Sequence, residues 1–137
     1  MVNKEYRGNL YIESNVKVKL PGLTSVEGDL YILSDIELPT LTSVEGDLSI
    51  ESNVKAELSA LASVGGDLSI LSDIELPALT SVEGNLYIWS NVKAKLPALI
   101  SVKGDLYIES NVKAELPALT SVKGERGKYA NGQFVKE

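Results

Sequence analysis

The sequence predicts an all-β protein, a parallel β-solenoid of six coils of 18 or 20 residues each. Three observations carry that prediction. Glycines recur at 8, 28, 46, 66, 84, 104 and 124, so the spacings are 20, 18, 20, 18, 20 and 20 residues. After each of the first six comes Asp or Asn and then Leu-x-Ile, an alternation with the period of a half-buried strand. Proline stands at one place in each unit, at 21, 39, 77, 97 and 117, with Ser59 in the third.

The elements of a coil follow in order. In the unit from Gly46, Leu48 and Ile50 point inward while Asp47, Ser49 and Glu51 point outward. Ser52 and Asn53 turn the chain. A second strand then sets Val54, Ala56 and Leu58 inward. The shorter coils keep this parity with two residues fewer, as Ile36 to Leu38 and Ile74 to Leu76. Proline ends the segment because it lacks a backbone donor and has a fixed φ, and Leu-x-Ser-Val returns the chain to the next glycine. Stacked coils are expected to bury unbroken columns, Leu10 to Leu106 and Ile12 to Ile108 among them. About six large apolar residues per coil, at roughly 1.5 to 3 kcal/mol each before entropy, suffice for a stable fold.

The outward columns account for the alternation of long and short coils. Lys17, Glu37, Lys55, Glu75, Lys93 and Lys113 follow the inward Val or Ile, and stacking them would set opposite charges beside each other over most of the column. The turn column Asn15, Asp35, Asn53, Asp73, Asn91 and Asn111 never sets two carboxylates in adjacent coils. Residues 28–65 and 66–103 are identical at 29 of 38 positions, so the unit is a pair of coils, by duplication or by consensus design.

The chain divides into a polar lead-in at 1–7 that caps the first coil, the six-coil solenoid at 8–124, and a C-terminal cap at 125–137. Within that cap Asn131 and Gly132 stand between short apolar flanks, a type I′ hairpin signal. Tyr129 or Phe134 would then cover the last coil, whose strand edge is otherwise open.

Composition excludes more than it selects. At 137 residues and a formal charge of -6, the chain is expected to be repelled by nucleic acid and by anionic membrane surfaces. It has no cysteine and no histidine, so disulfides, thiolate metal sites and the commonest general base are lacking. No apolar run approaches the roughly 20 residues of a membrane-spanning helix. No cofactor is expected. Residues 1–7 are too polar and too short for a secretory signal. The location stays open between the cytosol and a bacterial cell surface or secreted setting with its leader removed.

Leu48-x-Ile50-x-x-Asn53, recurring in all six units with Asn or Asp last, resembles the core phrase of leucine-rich repeats. The longer phrase Leu-Pro-x-Leu-x-Ser-Val-x-Gly-Asp-Leu-x-Ile is also similar to receptor L domains and to bacterial surface leucine-rich repeat proteins. The resemblance implies a right-handed, leucine-rich-repeat-like solenoid whose aligned asparagines, here Asn15, Asn53, Asn91 and Asn111, bond neighbouring backbone. Asp35 and Asp73 can accept but not donate, so a weaker ladder is expected there. The period of 18 to 20 lies at or below the family's usual range and leaves little room for a helix.

The resemblance also points to the strand face as a ligand surface. That face carries Tyr11, Tyr31, Ser49, Ser69, Tyr87 and Tyr107 in one column and Glu13, Leu33, Glu51, Leu71, Trp89 and Glu109 in the next. The candidate binding residues are therefore Tyr11, Tyr31, Leu33, Leu71, Tyr87, Trp89 and Tyr107, since aromatic anchors carry much of typical interface energy. The competing reading is a tyrosine ladder that only stabilises the sheet.

Asp29, Asp47 and Asp67 could be taken for calcium ligands, but the Gly-Gly-x-Gly-x-Asp roll motif is missing and an Asp after Gly commonly bonds turn backbone. Carboxylates that recur with the repeat speak for architecture and against an active site, so no enzyme is expected. Thr24, Thr42, Thr80 and Thr120 form an interrupted column, a minor case for ice binding. The expected function is a non-catalytic module binding a protein or glycan. The alternative is a structural or engineered scaffold, self-associating through its strand face or its ends.

Overall fold

A computed structural model describes residues 4–13, 22–89, 92–109, 113–124, 126–130 and 133–136, with side chains over 5–13, 22–89, 92–109 and 114–124. Among these residues every regular element is a strand, and the strands form a parallel β-solenoid. Leu10–Ile12, Leu30–Ile32, Leu48–Ile50, Leu68–Ile70, Leu86–Ile88 and Leu106–Glu109 pair in that order. Five turns of the solenoid separate the first from the last. Each Leu lies opposite a Leu and each Ile opposite an Ile, which is the register that keeps both columns inward.

The Ser-Val segments form a second parallel sheet from Leu23–Val26 to Ser121–Val122, and Lys4–Tyr6 adds a strand at its edge. Between the two sheets lies one core. Leu30, Ile32, Leu38, Leu41, Val44, Leu48, Ile50, Leu58, Leu61 and Val64 are all buried, and the same columns continue through the later coils. At the bend before each Ser-Val strand, the amide of Leu41 donates to the Leu38 carbonyl, and Leu61, Leu99 and Leu119 repeat the bond to Leu58, Leu96 and Leu116. Proline sits at the second position of this turn, where its fixed φ suits the geometry. Ser59 occupies the same turn without it.

The glycine column is required by close approach. The amide of Gly66 donates to the Gly46 carbonyl at 2.9 Å, and a Cβ at Gly66 would fall on the Asp47 carboxylate and within 2.9 Å of that carbonyl. Gly8, which begins the column, has a left-handed backbone, at φ +88°.

The third side of the solenoid departs from the expected charge alternation. Ile36 pairs with Ala56 and Glu37 with Glu57, while Glu75 pairs with Lys95. The two residues that the short coils lack therefore come out of the turn. Short and long coils align backward from the shared Leu, so Glu37 does not face Lys55 nor Glu75 face Lys93. Lys95 lies between two acids in register, Glu75 and Glu115, and the ion pair found there among the described residues, Lys95 to Glu75 at 3.7 Å, is well exposed.

This side is also discontinuous. Ile36–Glu37 pairs with Ala56–Glu57, and Ile74–Glu75 pairs with Lys93–Lys95 and onward to Lys113–Glu115, but no ladder joins the two groups. There the short fourth coil follows the long third one. The Ser72 hydroxyl bridges the junction, accepting from the Val54 amide at 3.0 Å and donating to the Glu51 carbonyl.

At the C-terminal end, Arg126–Ala130 continues the Leu-x-Ile sheet in parallel with Leu106–Glu109. It pairs antiparallel with Gln133–Lys136. The Asn131 and Gly132 turn lies outside the described residues, as do the side chains of Tyr129 and Phe134.

Candidate binding face

The solvent side of the Leu-x-Ile sheet is built by the residues that alternate with the buried Leu and Ile. Because equivalent residues of successive coils pair directly, their side chains stand about 4.8 Å apart, close to the spacing of stacked rings. Tyr11 and Tyr31 stack at 4.8 Å between ring centres and 10° between planes. Tyr87 and Tyr107 do so at 5.0 Å and 2°. Trp89 joins the second group, its ring 5.7 Å from Tyr87 and within 8° of parallel.

The structure thus sets the seven candidate residues on one face, six of them in two groups. Tyr11 and Tyr31 with Leu33 lie toward the N-terminal end, and Tyr87, Trp89 and Tyr107 toward the C-terminal end. Leu71 stands between them on the fourth coil. Tyr11 is 53% exposed and Leu33 37%, whereas Leu71, Tyr87, Trp89 and Tyr107 are half-buried. Ser49 and Ser69 occupy the tyrosine positions of the two middle coils, so a gap two coils wide interrupts the ring column.

Three of the phenolic groups are tied to the residue two places before them. Tyr31 donates to Asp29 at 3.1 Å and Tyr107 to Asp105 at 2.8 Å, while Asn85 donates its amide to the Tyr87 oxygen at 2.9 Å. The bond to Asp29 is the main reason the Tyr31 hydroxyl is held above the ordinary phenol range, with partial burial and the charges of Asp29 and Asp47 adding to it.

The same Asx column bonds turn backbone, as expected of an Asp after Gly, but the bonds run from coil to coil as a ladder, which was not expected from the sequence. The amide of Asp29 donates to Asn9 Oδ1, Asp47 to Asp29, Asp67 to Asp47, Asn85 to Asp67 and Asp105 to Asn85, each at 2.7 to 2.8 Å. The signal was available, since every unit carries an Asp or Asn directly after its glycine. That glycine corner leaves an amide pointing along the stack, which a short acceptor side chain can reach.

At the other turn, the bonds found run through aspartates. Lys55 donates its amide to Asp35 at 2.9 Å and Lys93 to Asp73 at 2.8 Å. A bond of this kind needs only an acceptor, which removes the argument for a weaker ladder at Asp35 and Asp73. Asn53 is exposed with φ +61°, the left-handed region that asparagine tolerates well. Asn15, Asn91 and Asn111 lie outside the described residues.

Other surfaces are spoken for or mixed in character. Thr42, Thr80 and Thr120 donate their hydroxyls to the carbonyls of Thr24, Ala62 and Ile100 in the preceding coil. A shallow groove of about 600 Å³ opens at the break in the third side, lined by Lys55, Glu57, Ser59, Asp73, Glu75 and Lys93 among others. It carries both signs of charge. Among the described residues no three Asp or Glu side chains gather as metal ligands. None of the described segments is a helix long and apolar enough to cross a membrane.

Comparison with known protein families, with curated proteins and with solved structures finds no match to this chain.

Proposed function

We propose that this chain is a non-catalytic docking module of leucine-rich-repeat-like construction, whose Leu-x-Ile strand face binds a protein or a glycan. The observation that carries this reading is the pair of parallel ring groups, Tyr11 with Tyr31 and Tyr87 with Trp89 and Tyr107, on one rigid sheet face. A flat sheet with registered strands holds such rings in place before a partner arrives, which limits the entropy lost on binding. The Leu-x-Ile-x-x-Asn/Asp phrase supports the choice of face by analogy with leucine-rich repeats.

A second reading is favoured by one specific feature. The tyrosines stack on each other and bond Asp29 and Asp105 within their own coils, as they would in a ladder that serves stability alone. In that case the chain is a scaffold, free to self-associate through this face or through its ends.

Trp89→Ala separates the two. A docking face loses affinity for its partner while the unfolding midpoint stays within about 0.5 kcal/mol of wild type. A structural ladder loses stability instead. Light scattering behind size exclusion on both proteins, across a concentration series, reads the third outcome, a dimer that the substitution turns into monomer.

A further inference from the structure

Over the six Leu-x-Ile strands the outward columns are uniform in sign. They hold Asp29, Asp47, Asp67 and Asp105 on one side of the tyrosine column and Glu13, Glu51 and Glu109 on the other, and from Asn9 to Glu109 none of the three columns has a Lys or Arg. The remaining surface mixes charges, as in the Lys95 to Glu75 and Lys103 to Glu83 pairs. A face of single sign flanking aromatic rings selects its partner by charge.

The gap in the ring column sharpens this. Tyr31 and Tyr87 are three coil spacings apart, roughly 14 Å, and Ser49 and Ser69 lie between them. Asp29 uses one carboxylate oxygen on the Asx ladder and meets the Tyr31 hydroxyl with the other, and Asp105 likewise accepts from the Tyr107 hydroxyl. Asp47 and Asp67 make the same ladder bonds, but serine stands two residues on, so no tyrosine hydroxyl meets their second oxygen. The gap therefore offers two carboxylates beside ring groups, the combination that suits a guanidinium, which stacks on an aromatic ring and pairs with an anion.

Resting on the strand-face reading, we infer that the partner is a cationic chain, an extended segment bearing arginine, seated over the gap at Ser49 and Ser69 between Tyr31 and Tyr87. A neutral glycan could use the same rings and hydroxyls, but it gives no reason for outward columns that carry acids and no cation across all six Leu-x-Ile strands. A second copy of this chain would set acidic columns against acidic columns.

Trp89 is the chain's one tryptophan, so its emission reports binding at this face. The probe is a hexa-arginine peptide, titrated at low and at physiological salt. Asp47→Asn with Asp67→Asn removes two charges and keeps the ladder acceptor, as Asn9 and Asn85 already do in that column. Glu37→Gln with Glu75→Gln removes the same charge from the third side. The inference expects the Asp pair to weaken hexa-arginine binding roughly fivefold or more, the Glu pair to weaken it less than about twofold, and Tyr31→Ser to weaken it as well.

Equal losses in the two charge pairs would mean diffuse attraction to an acidic protein and overturn the inference. So would the lack of any binding at low salt. Binding of neutral cellohexaose that Tyr31→Ser abolishes would also overturn it, while leaving the strand-face reading standing. That reading is judged apart, by Trp89→Ala.

Discussion

The backbone amide of Asp47 donates to Oδ1 of Asp29 at 2.7 Å, one coil away, and Asp47 in turn accepts from Asp67. Asp29, Asp47, Asp67 and Asn85 are thus each donor and acceptor at once, and the glycine before each lets the coils approach closely enough for the bond. Only the Oδ1 acceptor is needed. Asp47→Asn should leave stability within about 0.5 kcal/mol of wild type, while Asp47→Ala, which strands the Asp67 amide, should cost about 1 kcal/mol. Urea unfolding of the two variants checks the difference, and equal losses would show that the ladder contributes little.

The glycine column predicts a larger effect. Gly66→Ala forces a methyl onto Asp47 and the Gly46 carbonyl, in a stack held by the 2.9 Å Gly66 to Gly46 bond. Overpacking of this kind costs about 1 to 3 kcal/mol. Gly8→Ala meets no atom within 4 Å and is penalised only for its backbone, at φ +88°, by about 1 kcal/mol. Thermal melts followed by circular dichroism should rank Gly66→Ala below Gly8→Ala.

Ser72 holds the junction where the third side loses its ladder. Ser72→Ala leaves the Val54 amide and the Glu51 carbonyl without the hydroxyl that joins them. The expected loss is about 1 to 3 kcal/mol, because Ser72 is buried and water replaces it poorly. Hydrogen exchange should quicken most at Val54. Unchanged exchange there would show that the bridge is not what closes the junction.

Tyr31 offers a test by pH. Its folded-state pKa lies above the ordinary phenol value because the neutral hydroxyl donates to Asp29, with burial and nearby carboxylates adding to the shift. A raised folded pKa contributes stability that is fully present below the unfolded pKa of about 10 and is lost as pH rises through the folded value. The stability difference between wild type and Tyr31→Phe should therefore be constant up to about pH 10 and close above it. Tyrosinate absorbance should lose its latest-titrating component in the variant.

Much of this architecture could be read from the residues alone. Leu48 and Ile50 alternate with Asp47, Ser49 and Glu51, and that alternation recurs with the glycines, so a stacked strand with one buried face is the arrangement that buries every column at once. The two tyrosine groups and the serines between them follow from the same count, because equivalent residues must lie side by side when the coils stack. The parallel set of Trp89 against Tyr87 did not follow, since it depends on side-chain torsions that no spacing dictates.

Elsewhere tertiary structure decided. Two residues fewer in a coil leave inward parity intact wherever they are removed, so parity could not tell whether Glu37 would meet Lys55 or Glu57. The shared Leu38 and Leu58 settle it, because burying both at one depth outweighs an exposed ion pair worth at most about 1 kcal/mol. Both Asx columns read alike as residue types, and which bonds a given side chain makes depends on an amide oriented by the neighbouring coil. The repeat by itself determined what is buried, through the period of two and the recurrence of glycine. The stacking of coils of unequal length decided how the outward residues meet, because that contact lies between residues 18 or 20 apart whose alignment only the packed core enforces.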